Sequence, residues 1–317
     1  MAQWVTLPRA SDSRMPRPMN RAGAGGGQAP PSLIAEGEVN PAGSPRAPRA
    51  LVFDSGLGGL SVLAEIRRLR PDVEIVYAAD DAAFPYGGLG EAALVGRVET
   101  VMARLIGEIE PDIVVIACST ASTLALPPLR AAYPRLPFVG TVPAIKPAAA
   151  ASRSRLISVL ATHGTVARDY THALVREHAA SCEVTLVGSP ALAIIAERVM
   201  RDEAIDEAEI AREIAPCFVE HDGRRTDQIV LACTHFPLIA DKLARLAPWA
   251  VGFVDPASAI ARRLDALIGA ARPGEPSGRA GTAIFTSGEA PPPSLQKTLR
   301  RYGLVFAPAS MIGFAPA

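Results

Sequence analysis

Between Arg49 and Asp255 the sequence alternates short, unbroken apolar runs with segments of helical spacing, and it runs through that cycle twice. The first set is R-A-L-V-F-D (49–54), E-I-V-Y-A-A-D (74–80), D-I-V-V-I-A (112–117) and F-V-G-T-V (138–142). The second is R-L-I-S-V-L-A (155–161), E-V-T-L-V-G (183–188), Q-I-V-L-A (228–232) and V-G-F-V-D (251–255). Strands with no polar face must be covered on both sides, and helices between them supply the cover. Helical spacing is expected at 60–69, 91–109, 120–133, 166–179, twice between 190 and 221, and at 237–246. The expected fold class is therefore α/β, with two similar parallel-sheet domains facing each other across a cleft. A Pro/Gly-rich stretch after Gly274 then leads to a late strand in A-I-F-T-S-G (283–288) and a short helix near 294–301.

The duplication extends to chemistry. Residues 115–120 read V-I-A-C-S-T, and residues 230–235 read V-L-A-C-T-H. A buried strand has no need of cysteine at its exit. For either cysteine alone, a small buried hydrophobe is the sufficient reading. As a pair they sit at corresponding strand exits, each followed by hydroxyls, and open parallel sheets bind ligands beyond those ends. Two facing halves would set Cys118 and Cys233 across one cleft. A thiolate is a base and a thiol an acid, so a pair straddling one carbon can remove a proton from one face and return one to the other. A cysteine hydrolase uses a single nucleophile and leaves the repeat unexplained.

Other strand exits add polar groups to the same rim. D-S-G-L-G-G (54–59) delivers Asp54 and Ser55 and opens a helix; its glycines serve either an anion at the helix start or a tight strand–helix turn. Tyr86 and Gly87 follow the second strand, where turn packing alone would also suit the tyrosine. His235 stands next to Cys233-Thr234, placed to tune the thiol or to serve structure. Cys182 and Cys217 lack such a context and read as structural. His163, His172, His178 and His221 have no ligand spacing, so no metal site is expected.

Composition narrows the class of partner. Lys plus Arg equals Asp plus Glu at 32 each, which gives no basic field for nucleic acid or an anionic membrane. No apolar run has spanning length. Four dispersed cysteines with no CxxC pair suit a reducing cytoplasm rather than a disulfide framework. Residues 1–48, rich in proline and glycine with little periodicity, read as a disordered N-terminal extension.

Six motifs, in order, carry a family resemblance: V-F-D-S-G-L-G-G-L-S-V (52–62), D-D-A-A-F-P-Y-G-G (80–88), A-C-S-T-A-S (117–122), T-H-G-T-V (162–166), S-P-A-L-A-I-I-A-E (189–197) and A-C-T-H-F-P-L (232–238). Over about residues 50–288 the chain resembles the cofactor-independent glutamate racemases. The resemblance implies a discontinuous first domain (49–143 plus 258–317) and a second domain (144–257), with the active site between them. It implies interconversion of L- and D-glutamate for peptidoglycan, without cofactor or metal. Glutamate is then the small-molecule partner, with no nucleic acid or membrane, and a homodimer is a candidate assembly.

The same resemblance assigns roles. Cys118 matches the residue that takes the α-proton of the D-isomer, and Cys233 the residue that takes it from the L-isomer. Asp54 and Ser55 match contacts near the substrate amino group. Tyr86-Gly87, Ser119-Thr120 and Thr234-His235 match the remaining binding pairs, and Glu197 matches a glutamate supporting the histidine. Three positions depart from the family pattern: Ser119 stands for asparagine, Asp81 for threonine and Phe236 for tyrosine. A racemase for aspartate or a hydantoin, or a binding relative that has lost turnover, are the rival readings.

Overall fold

The computed structural model describes residues 47–270 and 280–308. All but the last two residues of the expected N-terminal extension lie outside the described residues. In chain order the elements begin with β1 (Arg49–Asp54), α1 (Leu60–Leu69), β2 (Glu74–Ala79), α2 (Glu91–Ile109), β3 (Ile113–Ile116), α3 (Ser119–Ala132) and β4 (Phe138–Gly140). Then come α4 (Ile145–Ala151), β5 (Leu156–Ala161), α5 (His163–Val166), α6 (Asp169–His178), β6 (Glu183–Gly188), α7 (Leu192–Met200) and α8 (Glu207–Ile214). A two-residue hairpin, β7 (Glu220–His221) and β8 (Arg224–Arg225), precedes β9 (Gln228–Leu231), α9 (Ala240–Leu246), β10 (Gly252–Val254) and α10 (Ala257–Ile268). The chain returns through β11 (Gly281–Phe285), α11 (Pro293–Arg301) and β12 (Leu304–Phe306).

Two parallel sheets result, and their strand orders explain the repeated phrase. The first runs β12-β11-β2-β1-β3-β4 and the second β10-β9-β5-β6. Read from the second strand of each cycle, both contain the same order: β2-β1-β3-β4 and β6-β5-β9-β10. The third strand lies beside the first in both sheets, so the polar exits of β1, β3, β5 and β9 are central. Cys118 and Cys233 follow β3 and β9, at equivalent places.

Each sheet is covered on both faces, as apolar strands require. On the first, α1, α10 and α11 pack on one face through Leu60, Leu63, Ile260, Leu264 and Leu295, while α2 and α3 cover the other through Val98, Met102, Leu105 and Ala125. On the second, α7, α8 and α9 cover one face and α4 and α6 the other. Buried Arg70 forks onto Asp72 and reaches Asp265 of α10 at 3.0 Å, fixing α10 against the end of α1.

The structure departs from the pattern of apolar periodicity in a few places. The helix expected at 166–179 is broken into α5 and α6, because Arg168 takes an extended conformation between them and Thr171 donates back to the Thr165 carbonyl. Helices α4 and α10 and the closing strand β12 were not anticipated. Helix α4 is only seven residues long, four of them alanine, and gives little periodicity to read, whereas α10 buries Ala257, Ile260, Ala261 and Leu264 at regular helical spacing.

Candidate active site

Strand β1 ends at Asp54, which is wholly buried. Its Oδ1 accepts the Gly56 N–H at 2.9 Å, and its Oδ2 accepts the Thr234 hydroxyl at 3.0 Å from the other half. Burial holds this carboxyl above the usual carboxylate range, against the pull of His235 and these hydrogen bonds. The glycine turn does receive an anion, but from the protein itself: Leu57 N–H donates to Glu197 Oε1 at 2.5 Å. Gly58 has a steric reason to lack a side chain. A Cβ there would lie 2.5 Å from His235 Nδ1 and 2.6 Å from Thr234 Oγ1. The close approach of the two halves is thus written into this turn.

The imidazole of His235 is buried between a thiol and a carboxylate. Its Nδ1 is 3.8 Å from Cys233 Sγ and its Nε2 2.9 Å from Glu197 Oε1. Burial disfavours the imidazolium, yet the hydrogen bonds to Cys233 and Glu197 and the nearby Asp54 outweigh it, and the histidine is held well above its ordinary value. Arg201 lies 3.6 Å from Glu197 Oε2. His235 thus bridges the Cys233 thiol and the Glu197 carboxylate.

Cys118 occupies the N-cap of α3, with its Sγ 3.7 Å from Ser55 Oγ. Burial and then Asp54 push its thiol up to about 12; the Ala121 N–H and Ser55 pull the other way. Ser119 follows, 5% exposed, and its hydroxyl has no hydrogen-bond partner. Such a group is costly unless a ligand meets it.

The loop after β2 forms the third wall. Asp80 is wholly buried and receives two bonds from Arg97, the Tyr86 hydroxyl at 2.5 Å and the Thr286 hydroxyl at 2.5 Å. The tyrosine hydroxyl is thus turned onto Asp80, leaving its ring and Gly87 to line the cleft. Asp81 accepts the Ser287 N–H and hydroxyl at 2.9 and 2.7 Å, so the departure at this position fastens the loop to the end of β11. Phe236 is buried in the second core.

These groups meet around one cavity. Ser55, Tyr86, Gly87, Cys118, Ser119, Thr120, Cys233, Thr234 and His235 line it, joined by Phe84, Thr162 and Ala193, which the sequence did not single out. Asp54 and Glu197 lie behind it, holding Thr234 and His235. Cys182 and Cys217 lie outside it, Cys217 in the second core. The cavity measures about 20 Å³, room for about one water molecule. The space between the two halves is thus narrow in this structure. No cluster of metal-ligating side chains occurs among the described residues, and none of their helices is long and apolar enough to cross a membrane.

Comparison with known proteins agrees with this arrangement. Residues 61–264 match the model of the Asp/Glu/hydantoin racemase family. The chain belongs to that family. This racemase is 52% identical over 257 residues to a glutamate racemase of Brucella anthropi, covering 81% of this chain and 92% of that protein. It is also 52% identical over 263 residues to the glutamate racemase of Sinorhizobium medicae, covering 83% and 97%. Among solved structures, Escherichia coli glutamate racemase in complex with L-glutamate and the activator UDP-MurNAc-Ala superposes with a TM-score of 0.75 at 39% identity. That match covers 83% of the racemase chain and 98% of its counterpart.

Proposed function

We propose that this racemase interconverts L- and D-glutamate by two-base proton transfer between Cys118 and Cys233, and that it supplies D-glutamate for peptidoglycan in the cytoplasm. What carries the reading is the pair of thiols at equivalent third-strand exits around one cavity. In the L-to-D direction, the Cys233 thiolate takes the α-proton while the Cys118 thiol delivers its own to the opposite face. The cycle ends with a Cys233 thiol and a Cys118 thiolate, ready for the reverse reaction. No electron leaves the substrate, so the chemistry calls for no redox cofactor.

The remaining residues bind and orient. Ser55 faces the ammonium, and Asp54 stands behind it, holding the turn through Gly56 N–H and the second half through Thr234. The Ser119 and Thr120 hydroxyls, Thr234 and the Tyr86-Gly87 loop hold the carboxylates. His235, charged through Glu197, steadies the Cys233 thiolate. Two bodies, residues 49–143 with 258–317 and residues 144–257, would open and close on the substrate. The high identity to two glutamate racemases favours glutamate over other amino acids.

The test is exchange in D₂O. Purified protein with nothing added should wash deuterium into the α-position of glutamate as optical rotation is lost. Cys118→Ala/Cys233→Ala protein that retains this exchange would sink the mechanism. Activity on aspartate but not on glutamate would overturn only the choice of substrate.

A further inference from the structure

The two thiols have unlike surroundings. Cys233 has a cationic partner on its own half, His235 at 3.8 Å. Apart from Arg168, the titratable groups that interact with Cys118 are Asp54, Tyr77, Tyr86 and Cys233, and none of these is a cation. Arg97, on the neighbouring α2, is committed to Asp80 by two bonds of 2.9 and 2.6 Å. The first turn of α3 helps, through the Ala121 N–H, but burial still works against the Cys118 thiolate.

Arg168 lies on the opposite half, in the extended link between α5 and α6 that breaks the expected helix. Its side chain is only 12% exposed, and its Nη1 crosses the seam to donate to the Thr120 carbonyl at 3.1 Å, two residues along from Cys118. The two halves are in ordinary van der Waals contact there: a Cβ on Gly164 would be 3.5 Å from the Gly87 carbonyl and 4.0 Å from Arg168 Nη2. Its nearest carboxylate is loosely held, with Glu91 Oε1 at 4.0 Å and Glu91 itself 72% exposed. A guanidinium is effectively always charged. Arg168 is thus a desolvated positive charge, weakly paired and within electrostatic reach of Cys118.

We propose that Arg168 is the positioning residue for Cys118: by crossing the cleft mouth to the Thr120 carbonyl it supplies the positive charge that favours the Cys118 thiolate when the halves are closed. The inference rests on the two-thiol reading above and deepens it. The second half arms the base of the first, so that this base is strongest when the cleft has shut.

The experiment is NMR of the full chain labelled at cysteine Cβ across a pH series, with the Cys118 and Cys233 signals assigned from Cys→Ser variants and followed separately. The chemical shift tells thiol from thiolate with no reagent entering the cleft. Arg168→Gln should move the Cys118 titration up by about one pH unit, leave the Cys233 profile in place, and lower kcat/KM at neutral pH about tenfold. Arg168→Lys, which keeps the charge, should restore most of the Cys118 profile. If Arg168→Gln does not fold, Arg168→Met, with a stem suited to the half-buried seam, gives the same test. A shift shared equally by both thiols, no shift at all, or a lysine variant that behaves like the neutral ones overturns the proposal. Because this titration needs no turnover, a Cys118-specific shift in a protein inactive on glutamate would sink the racemisation reading while leaving the role of the charge intact.

Discussion

Replacing Glu197 by glutamine changes a charge and little else. One oxygen, Oε1, receives both the Leu57 N–H at 2.5 Å and His235 Nε2 at 2.9 Å, and a glutamine carbonyl can occupy the same place. What disappears is the negative charge that helps keep His235 protonated. Breaking a buried ion pair from one side costs about 3–5 kcal/mol; here the imidazole can shed its proton and the hydrogen bonds persist, so about 2 kcal/mol is expected. In a protein of this size that is a fall in Tm of roughly 4–8 °C. The sign with pH follows from His235, whose folded value is raised. Its contribution is fully present below the unfolded value of about 6.5 and fades as pH rises through the raised folded one. The gap in Tm between parent and variant should therefore be widest in acid and neutral buffer and close at alkaline pH. Circular dichroism melts across pH measure it, with polarimetry giving a parallel loss of about 100-fold in kcat/KM at neutral pH. A gap that does not change with pH, or no gap, would refute the pairing of Glu197 with an imidazolium.

Three further changes probe the other walls of the cleft. Gly58→Ala drives a methyl group against His235 Nδ1 and Thr234 Oγ1; kcat should fall about 100-fold with only a small change in Tm, and a variant of full activity would show that the turn yields freely. Thr286→Val removes one of four hydrogen bonds to Asp80; steady-state kinetics should show a raised KM through the Tyr86-Gly87 loop, with a stability loss of about 1–2 kcal/mol, and an unchanged KM would detach that loop from binding. Ser119→Asn restores the longer amide of the family pattern at an unpartnered buried site and should raise kcat/KM for glutamate about tenfold or leave it unchanged. Paired kinetics on L-glutamate and L-aspartate decide it, and a loss on glutamate with an unchanged fold means that the pocket is shaped for serine.

Apolar runs and strand exits made much of this fold legible. Every one of the eight runs in the two cycles became a strand at or near its expected bounds, most clearly the central ones such as β1, β3 and β5, where burial on both faces leaves a signal that no polar surface residue dilutes. Asp54, Cys118 and Cys233 were legible for a related reason: a polar or reactive residue at the exit of such a strand has no local task. Other features left no local signal. Arg97 and Thr286 converge on Asp80 from 17 and 206 residues away, and only the folded chain brings them together. Arg168 looked like an ordinary residue of a helix face. Its place in the cleft depends on a backbone break that Thr171 fixes through the Thr165 carbonyl, a bond that periodicity does not reveal.

The unequal surroundings of the two thiols also limit what kinetics can show. L- and D-glutamate have the same free energy in water, so kcat/KM must be equal in the two directions whatever the protein does. No substitution at His235, Glu197 or Arg168 can break that equality. What the asymmetry can do is divide each direction differently between kcat and KM. If His235 steadies one thiolate in either state of the cleft while Arg168 steadies the other chiefly in the closed state, the two resting forms of the enzyme differ in how much closure adds to their basicity. The form that begins with a Cys118 thiolate depends more on closure, and so on binding energy from the substrate. Loss of Arg168 should then fall harder on that form, changing kcat and KM unequally in the two directions while their ratios fall together.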